Sequence, residues 1–384
     1  MSSGIRWAAA AALALTLRPA IALALDLTAG SGADQSCPPS ARSLALSAAA
    51  IAYTQPLPVL AITDYGNGRY RPGAGDNLGV GIAFGELSGD VNGWCAGILY
   101  RVEYHAQASK DLLDVLVANH FGNTFDAGRI YSLYLSEKSF KADGLRLRKT
   151  LDFAFADRWS VTLGFGASLL HASEGEEQSL TGQVTATSPN FAVGTGSWLQ
   201  TVTDINYADF NPFVAPGNPR GIGFSSDLEL QLRAPGGVQL DFTAMDPLGR
   251  IYWSEVPREF QTLNTASVAY NANLDREAFV NGVESRVAFV ETIPAKIELV
   301  AEFPVTARWT LQMQDDWVDA AQFPAVGTAY LGGFGTARLQ YDLRTQAVSV
   351  GGVWRLFSAS ITSNNFHLQR ASALGVALHA AHSW

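Results

Sequence analysis

Apolar and polar residues alternate with period two along much of the chain. Near the C-terminus Leu374, Val376, Leu378, Ala380, His382 and Trp384 fall on one face, and Gly375, Ala377, His379 and Ser383 on the other. Strict alternation over such a span predicts a strand, not a helix. The same pattern marks 145–155, 159–171, 222–233, 238–244, 296–304, 307–315, 336–344 and 347–358. In 238–244, for example, Val238, Leu240 and Phe242 alternate with Gln239, Asp241 and Thr243. Fainter alternation places further strands near 78–86, 97–106, 130–136, 180–187 and 197–207.

Both a soluble sandwich and a membrane barrel alternate in this way. Two features favour the barrel. Several segments reach about 10–13 residues, beyond the usual 5–6 of soluble sheets. Trp159, Trp309, Trp354 and Trp384 stand near strand ends, where an interfacial aromatic girdle belongs. Short links at Ala156–Arg158, Ala234–Gly237, Pro304–Thr306 and Arg344–Ala347 alternate with long ones at 172–179, 208–221, 247–295, 315–335 and 359–372. Barrels of this kind have short periplasmic turns and long outer loops. The expected fold is therefore all-β, a transmembrane antiparallel β-barrel of about fourteen strands, with sixteen or twelve as alternatives. Asp275–Val287 reads as an amphipathic helix in an outer insertion, and Lys110–Val117 as a short helix on the periplasmic side.

The N-terminus adds an address. Arg6 precedes an apolar stretch, Trp7–Leu17, and Ala22-Leu23-Ala24 offers small residues for cleavage. That order is a secretory signal peptide over 1–24. Eleven residues span about 16 Å as a helix, too little for a ~30 Å hydrocarbon core. Residues 25–77 read as an N-terminal periplasmic or plug segment: Ser40 is a candidate N-cap for an Ala-rich short helix over 38–53. The barrel is expected over 78–384, in a bacterial outer membrane. Cys37 and Cys95 either pair as a disulfide, as export permits, or remain two free buried thiols.

The run from Ser40 to Ala50 resembles the opening of outer-membrane barrels related to the long-chain fatty acid transporter and the TraF-like proteins. Gly221–Leu228 is similar to one strand of a pair in that group, and Met245–Trp253 to its partner. Ile293-Pro294-Ala295-Lys296-Ile297 looks like the start of a later strand. The resemblance touches about half of the mature chain. It implies the barrel fold and the passage of hydrophobic solutes.

Charge and composition narrow the function. Lys plus Arg is 26 against 35 Asp plus Glu, a net −9. An acidic chain argues against a nucleic-acid partner. There is no Gly-x-Ser-x-Gly, His-Glu-x-x-His or phosphate-binding loop, and no cysteine pair at metal spacing, so no enzyme, metal or cofactor is expected. His367 beside Ser363, Asn364 and Asn365 is the one hydrolase-like cluster, and a polar outer loop is its plainer reading. Glu174, Glu176 and Glu177 read as an acidic outer loop, with a cation bridging to lipopolysaccharide as the sharper option. Glu229, Arg233, Asp241, Glu298, Glu302, Arg338, Asp342 and Arg344 fall on polar faces and are the candidate lumen lining. Mixed signs favour a salt-bridged filling over a selectivity ring. The expected function is passive or facilitated passage of a small hydrophobic solute, the alternative a structural or surface-assembly barrel with a filled lumen. The expected partners are outer-membrane lipid and lipopolysaccharide, the barrel-assembly machinery through the terminal strand, and a small hydrophobic cargo.

Overall fold

A computed structural model describes residues 42–55, 58–59, 76–121, 126, 128–155, 159–185, 198–207, 220–270, 276–319 and 321–383. The strands are β1 (Arg42–Thr54), β2 (Asp76–Val91), β3 (Trp94–Ser109), β4 (Ile130–Ala154), β5 (Ser160–Thr185), β6 (Trp198–Tyr207), β7 (Arg220–Arg233), β8 (Gln239–Met245) and β9 (Arg250–Tyr270). They continue as β10 (Arg276–Thr292), β11 (Lys296–Pro304), β12 (Trp309–Val318), β13 (Ala321–Leu331), β14 (Thr336–Asp342), β15 (Val348–Trp354), β16 (Phe357–Ser363) and β17 (Ala373–Ser383). One helix, α1 (Lys110–Phe121), follows β3.

Every ladder is antiparallel, and β17 pairs with β1 from Ser43 opposite Ser383 to Tyr53 opposite Ala373, so the sheet closes on itself. Three staves are each built from two segments. β6 and β7 succeed one another along β5. β8 and β9 succeed one another along β7, and β11 and β10 run beside β8 and β9. Counted this way, the described residues form fourteen staves.

The faces are inverted relative to a soluble protein. Ile98, Leu145, Leu169, Ile222, Val350 and Ile361 point outward and are more than half exposed, while Glu103, Glu291 and Asp246 are almost wholly buried. Apolar exteriors and polar interiors belong to a barrel solvated by hydrocarbon, where closure removes every unpaired strand edge. β4, β5, β9 and β10 rise far above their neighbours at one end. That end is the outer one, and the opposite end, with turns at 92–93 and 355–356, is periplasmic.

Several expectations are corrected. The helix over 38–53 and the plug boundary at 77 give way to β1. Leu44 and Leu46 face out, while Ser47 and Ala49 are buried. Alanine's helix preference is small, and the open edge of β17 needs a partner in lipid. β1 carries the chain to the outer side, so Gln55 and Val59 lie at the outer mouth, where Val59 N–H donates to Ala371 O at 2.8 Å. Segments 130–136 and 145–155 are one strand, β4, as 159–171 and 180–187 are one strand, β5. The polar stretch between them continues the ladder above the membrane through Lys141–Glu174 and Lys138–Glu177 pairs. Fusing these strands moves α1 from the periplasmic to the outer side. Residues 315–335, read as a link, contain β13, which places the Arg344–Ala347 turn outside. The helix over Asp275–Val287 is strand β10 from Arg276 on.

Cys95 is buried and disulfide-bonded. Cys37, the signal segment 1–24 and Trp384 lie outside the described residues.

Candidate functional site

Alternation on the strands aims one side chain in two into the lumen, and there the charges gather. Glu229, Asp241, Glu298, Glu302, Arg338 and Asp342 occupy inward register positions and are buried or half-buried. Asp241 accepts from Gln239 Nε2 at 2.7 Å. Arg233 is exposed at the periplasmic end, donating to Gln239 Oε1 at 3.2 Å. Arg344 is not on a strand face. It lies in the outer β14–β15 turn, donates to Gln322 O at 3.0 Å and covers the Phe323 ring at 5.2 Å.

Two denser networks stand deeper in the wall. In the first, Arg146 donates to Asp227 Oδ2 and Glu86 Oε2, both at 2.9 Å, and Arg148 reaches Glu86 Oε1 at 3.3 Å. In the second, Arg101 donates to Glu103 at 2.6 Å and grips both oxygens of Asp246. Lys296 Nζ stands 2.8 Å from Glu103 Oε2 and 2.8 Å from Asp246 Oδ2. Ser225 Oγ donates to Asp246 Oδ1 at 2.5 Å, and His105 Nε2 is 3.1 Å from Glu103 Oε2. Arg101, Glu103, Asp246 and Lys296 are all at most 4 % exposed. Their mutual pairing offsets the cost of taking four charges out of water. None of these four was a candidate lining residue, although Asp246 and Lys296 lie inside two of the segments that carry the family resemblance.

At the outer mouth the lining changes character. Tyr53, Val80, Ile82, Val318, Phe323 and Ala347 bound a cavity enclosing about 710 Å³ of empty space, its opening included. The Tyr53 and Phe323 rings meet edge to face, centroids 5.3 Å apart. One side is polar: Gln314 Nε2 donates to Asp316 at 2.9 Å, and Gln340 Nε2 donates to Gln314 Oε1 at 2.5 Å. The arrangement can hold a compact apolar molecule with one hydrogen-bonding end.

The other candidates have structural partners. Ser363 Oγ donates to Asn365 O at 2.7 Å, and His367 N–H donates to Asn365 Oδ1 at 2.9 Å, which ties the β16–β17 turn. Glu174, Glu176 and Glu177 lie on β5 rather than in a loop. His379 faces inward at 3.0 Å from Ser47 Oγ, with His382 on the opposite face. Among the described residues, no group of three or more His, Cys, Asp or Glu side chains is placed to hold a metal ion. Trp159, Trp309 and Trp354 are partly exposed at the periplasmic rim, joined there by Trp94. Trp309 contacts Tyr330 at 4.8 Å, and Trp354 stacks on Phe357 at 5.8 Å.

No family model matches the chain, and no curated protein matches it. Among solved structures it is similar to the toluene transporter TodX of Pseudomonas putida, at 10 % identity over 93 % of each chain with a TM-score of 0.43. It is also similar to an outer-membrane channel of Pseudomonas putida F1, at 12 % identity over 92 % of this chain and 99 % of that one, TM-score 0.26. The outer-membrane protease OmpT of Escherichia coli follows at 9 % identity, 90 % and 95 % coverage and a TM-score of 0.22. The closed wall, the inverted faces and the one-ended extension make this chain an outer-membrane β-barrel.

Proposed function

We propose that the barrel admits small, mainly apolar solutes through the outer membrane, with the outer-mouth cavity as their first binding station. The observation that carries this reading is the cavity's lining: aromatic and aliphatic side chains on one side, a Gln314–Asp316–Gln340 group on the other. Membership of the long-chain fatty acid transporter and TraF-like group belongs to the same reading. It is supported by Asp246 and Lys296, which come from two separate motifs and meet at 2.8 Å. The mixed lumen charges act as a salt-bridged filling, the β17 strand as the segment read by the assembly machinery, and the apolar outer face as the surface against lipid and lipopolysaccharide.

The two buried networks favour a second reading, a filled barrel that carries nothing. Uptake separates the two. Cells expressing the protein should accumulate a small aromatic such as naphthalene faster than cells without it, and Ala325→Trp, which fills the cavity, should abolish the difference. Equal uptake with and without the protein supports the filled barrel.

A further inference from the structure

The outward face of β3, β4 and β5 can be followed row by row from lipid to the outer medium. Leu145 beside Leu169 belongs to the lipid-facing belt. The next row, Asp143 beside His171, is well exposed at 3.3 Å and marks the end of that belt. Then comes Lys141 beside Glu174, an exposed ion pair at 2.8 Å. At the top, Leu135 beside Leu180 and Ala108 lies among the apolar residues covered by Leu112, Val115 and Ala118 of α1.

Two rows between the ion pair and the helix break this order. One holds Tyr104, Ser139 and Glu176, the next Ala106, Glu137 and Gln178. These polar residues are withdrawn from water: Glu137 is 3 % exposed and Gln178 is 1 % exposed. Neither the oxygen nor the nitrogen of the Gln178 amide has a hydrogen-bond partner. A buried amide left without a partner destabilises the fold unless something outside the chain satisfies it. Gln178 stands directly opposite Glu137, where Cβ atoms are about 5 Å apart, and Glu176 is the diagonal neighbour within reach of long side chains. The Tyr104 hydroxyl donates to Glu137. Burial, and then the charge of Glu176, push the Glu137 carboxyl well above the usual carboxylate range. The nearby lysines are engaged elsewhere, Lys141 by Glu174 and Lys138, on the opposite face, by Glu177.

We propose that Glu137, Glu176, Gln178 and Tyr104 hold a hard divalent cation of the calcium or magnesium class, outside the membrane and just below α1. Two carboxylates neutralise its charge, and the Gln178 carbonyl and Tyr104 hydroxyl oxygen supply neutral ligands. Water completes the shell of six to eight oxygens that calcium takes. The bound ion cross-links β3, β4 and β5 where they leave the support of the membrane.

The test uses the full-length barrel in detergent, stripped with a chelator and then given terbium, calcium or magnesium alone. Terbium should show saturable emission sensitised by Tyr104 and displaced by calcium, and millimolar calcium should raise the unfolding temperature by several degrees. Glu137→Gln and Gln178→Ala should each weaken binding roughly tenfold or more. Tyr104→Phe should lose most of the sensitised emission while calcium still registers by calorimetry. The wild-type arm decides even if a variant fails to fold: no saturable emission and no calcium-dependent shift overturns the site. Binding that survives both Glu137→Gln and Gln178→Ala overturns it as well.

Discussion

Lys296 Nζ reaches Asp246 Oδ2 at 2.8 Å where two neighbouring staves both break. β8 gives way to β9 across Asp246–Gly249, and β10 gives way to β11 across Ile293–Ala295. The two breaks are stitched by Ile293 N–H donating to Gly249 O at 3.1 Å. Arg101, from a stave across the lumen, completes the grip on Asp246. Asp246→Ala leaves Arg101 and Lys296 buried beside a single remaining carboxylate, Glu103. Breaking such a pair costs about 3–5 kcal/mol. Urea unfolding in micelles, read by tryptophan fluorescence, should show that loss. Lys141→Ala removes an exposed pair and should cost about 0–1 kcal/mol. Equal losses at the two sites would remove the argument from burial.

The outer cavity predicts a change of selectivity with size. Phe323 is 9 % exposed and meets Tyr53 edge to face at 5.3 Å. Phe323→Ala enlarges the cavity without touching the Asp246 network. Uptake of a three-ring aromatic should rise relative to a one-ring aromatic, while Ala325→Trp should depress both. An unchanged ratio in Phe323→Ala would mean that solutes pass without using this cavity.

The period-two pattern made the barrel legible because each stave repeats one rule, apolar out and polar in. It carried β7, β8, β11, β12, β14 and β17 nearly to their ends. It failed where the rule is suspended. β1 turns small side chains inward, Ser47 and Ala49, which look like helix material. β4 and β5 run past the membrane, where both faces turn polar and their middle looks like a loop. The lumen charges on amphipathic strands were visible. The pairing of Arg101 with Asp246, residues 145 apart in sequence, was not, because alternation reports a face and never a partner across the barrel.

Gly175 marks a close approach that no larger residue can share. It stands opposite Phe140 on the inner face, and a Cβ there would overlap the indole of Trp253. That indole is 2 % exposed, donates to Glu291 Oε2 at 2.7 Å and stacks near Phe289 at 6.4 Å. It has no free direction in which to retreat. Gly175→Val should cost about 1–3 kcal/mol through overpacking. The near-ultraviolet circular dichroism of the folded barrel should change with it, since Trp253 must turn. Gly128→Ala, in open space at positive φ, should leave that spectrum unaltered.

The inverted faces give the sharpest contrast with a water-soluble fold. Leu169 is 60 % exposed and Gln312 is 6 % exposed. In a soluble protein, Leu169→Arg would change an already wet position and shift stability by about 0.5 kcal/mol or less. On a lipid-facing strand the same change places a cation against hydrocarbon, a cost of about 2–4 kcal/mol at the midplane that is smaller at the outer end of the belt, where Leu169 stands. Gln312→Leu, by contrast, trades one lumen side chain for an apolar one of similar length and meets no lipid. Refolding into vesicles should therefore suffer far more from Leu169→Arg than from Gln312→Leu. The same two variants compared in a mild detergent micelle should rank in the same order. A Leu169→Arg protein that refolds into lipid as readily as the unmodified chain would mean that this face never meets a bilayer, and the membrane reading would fall with it.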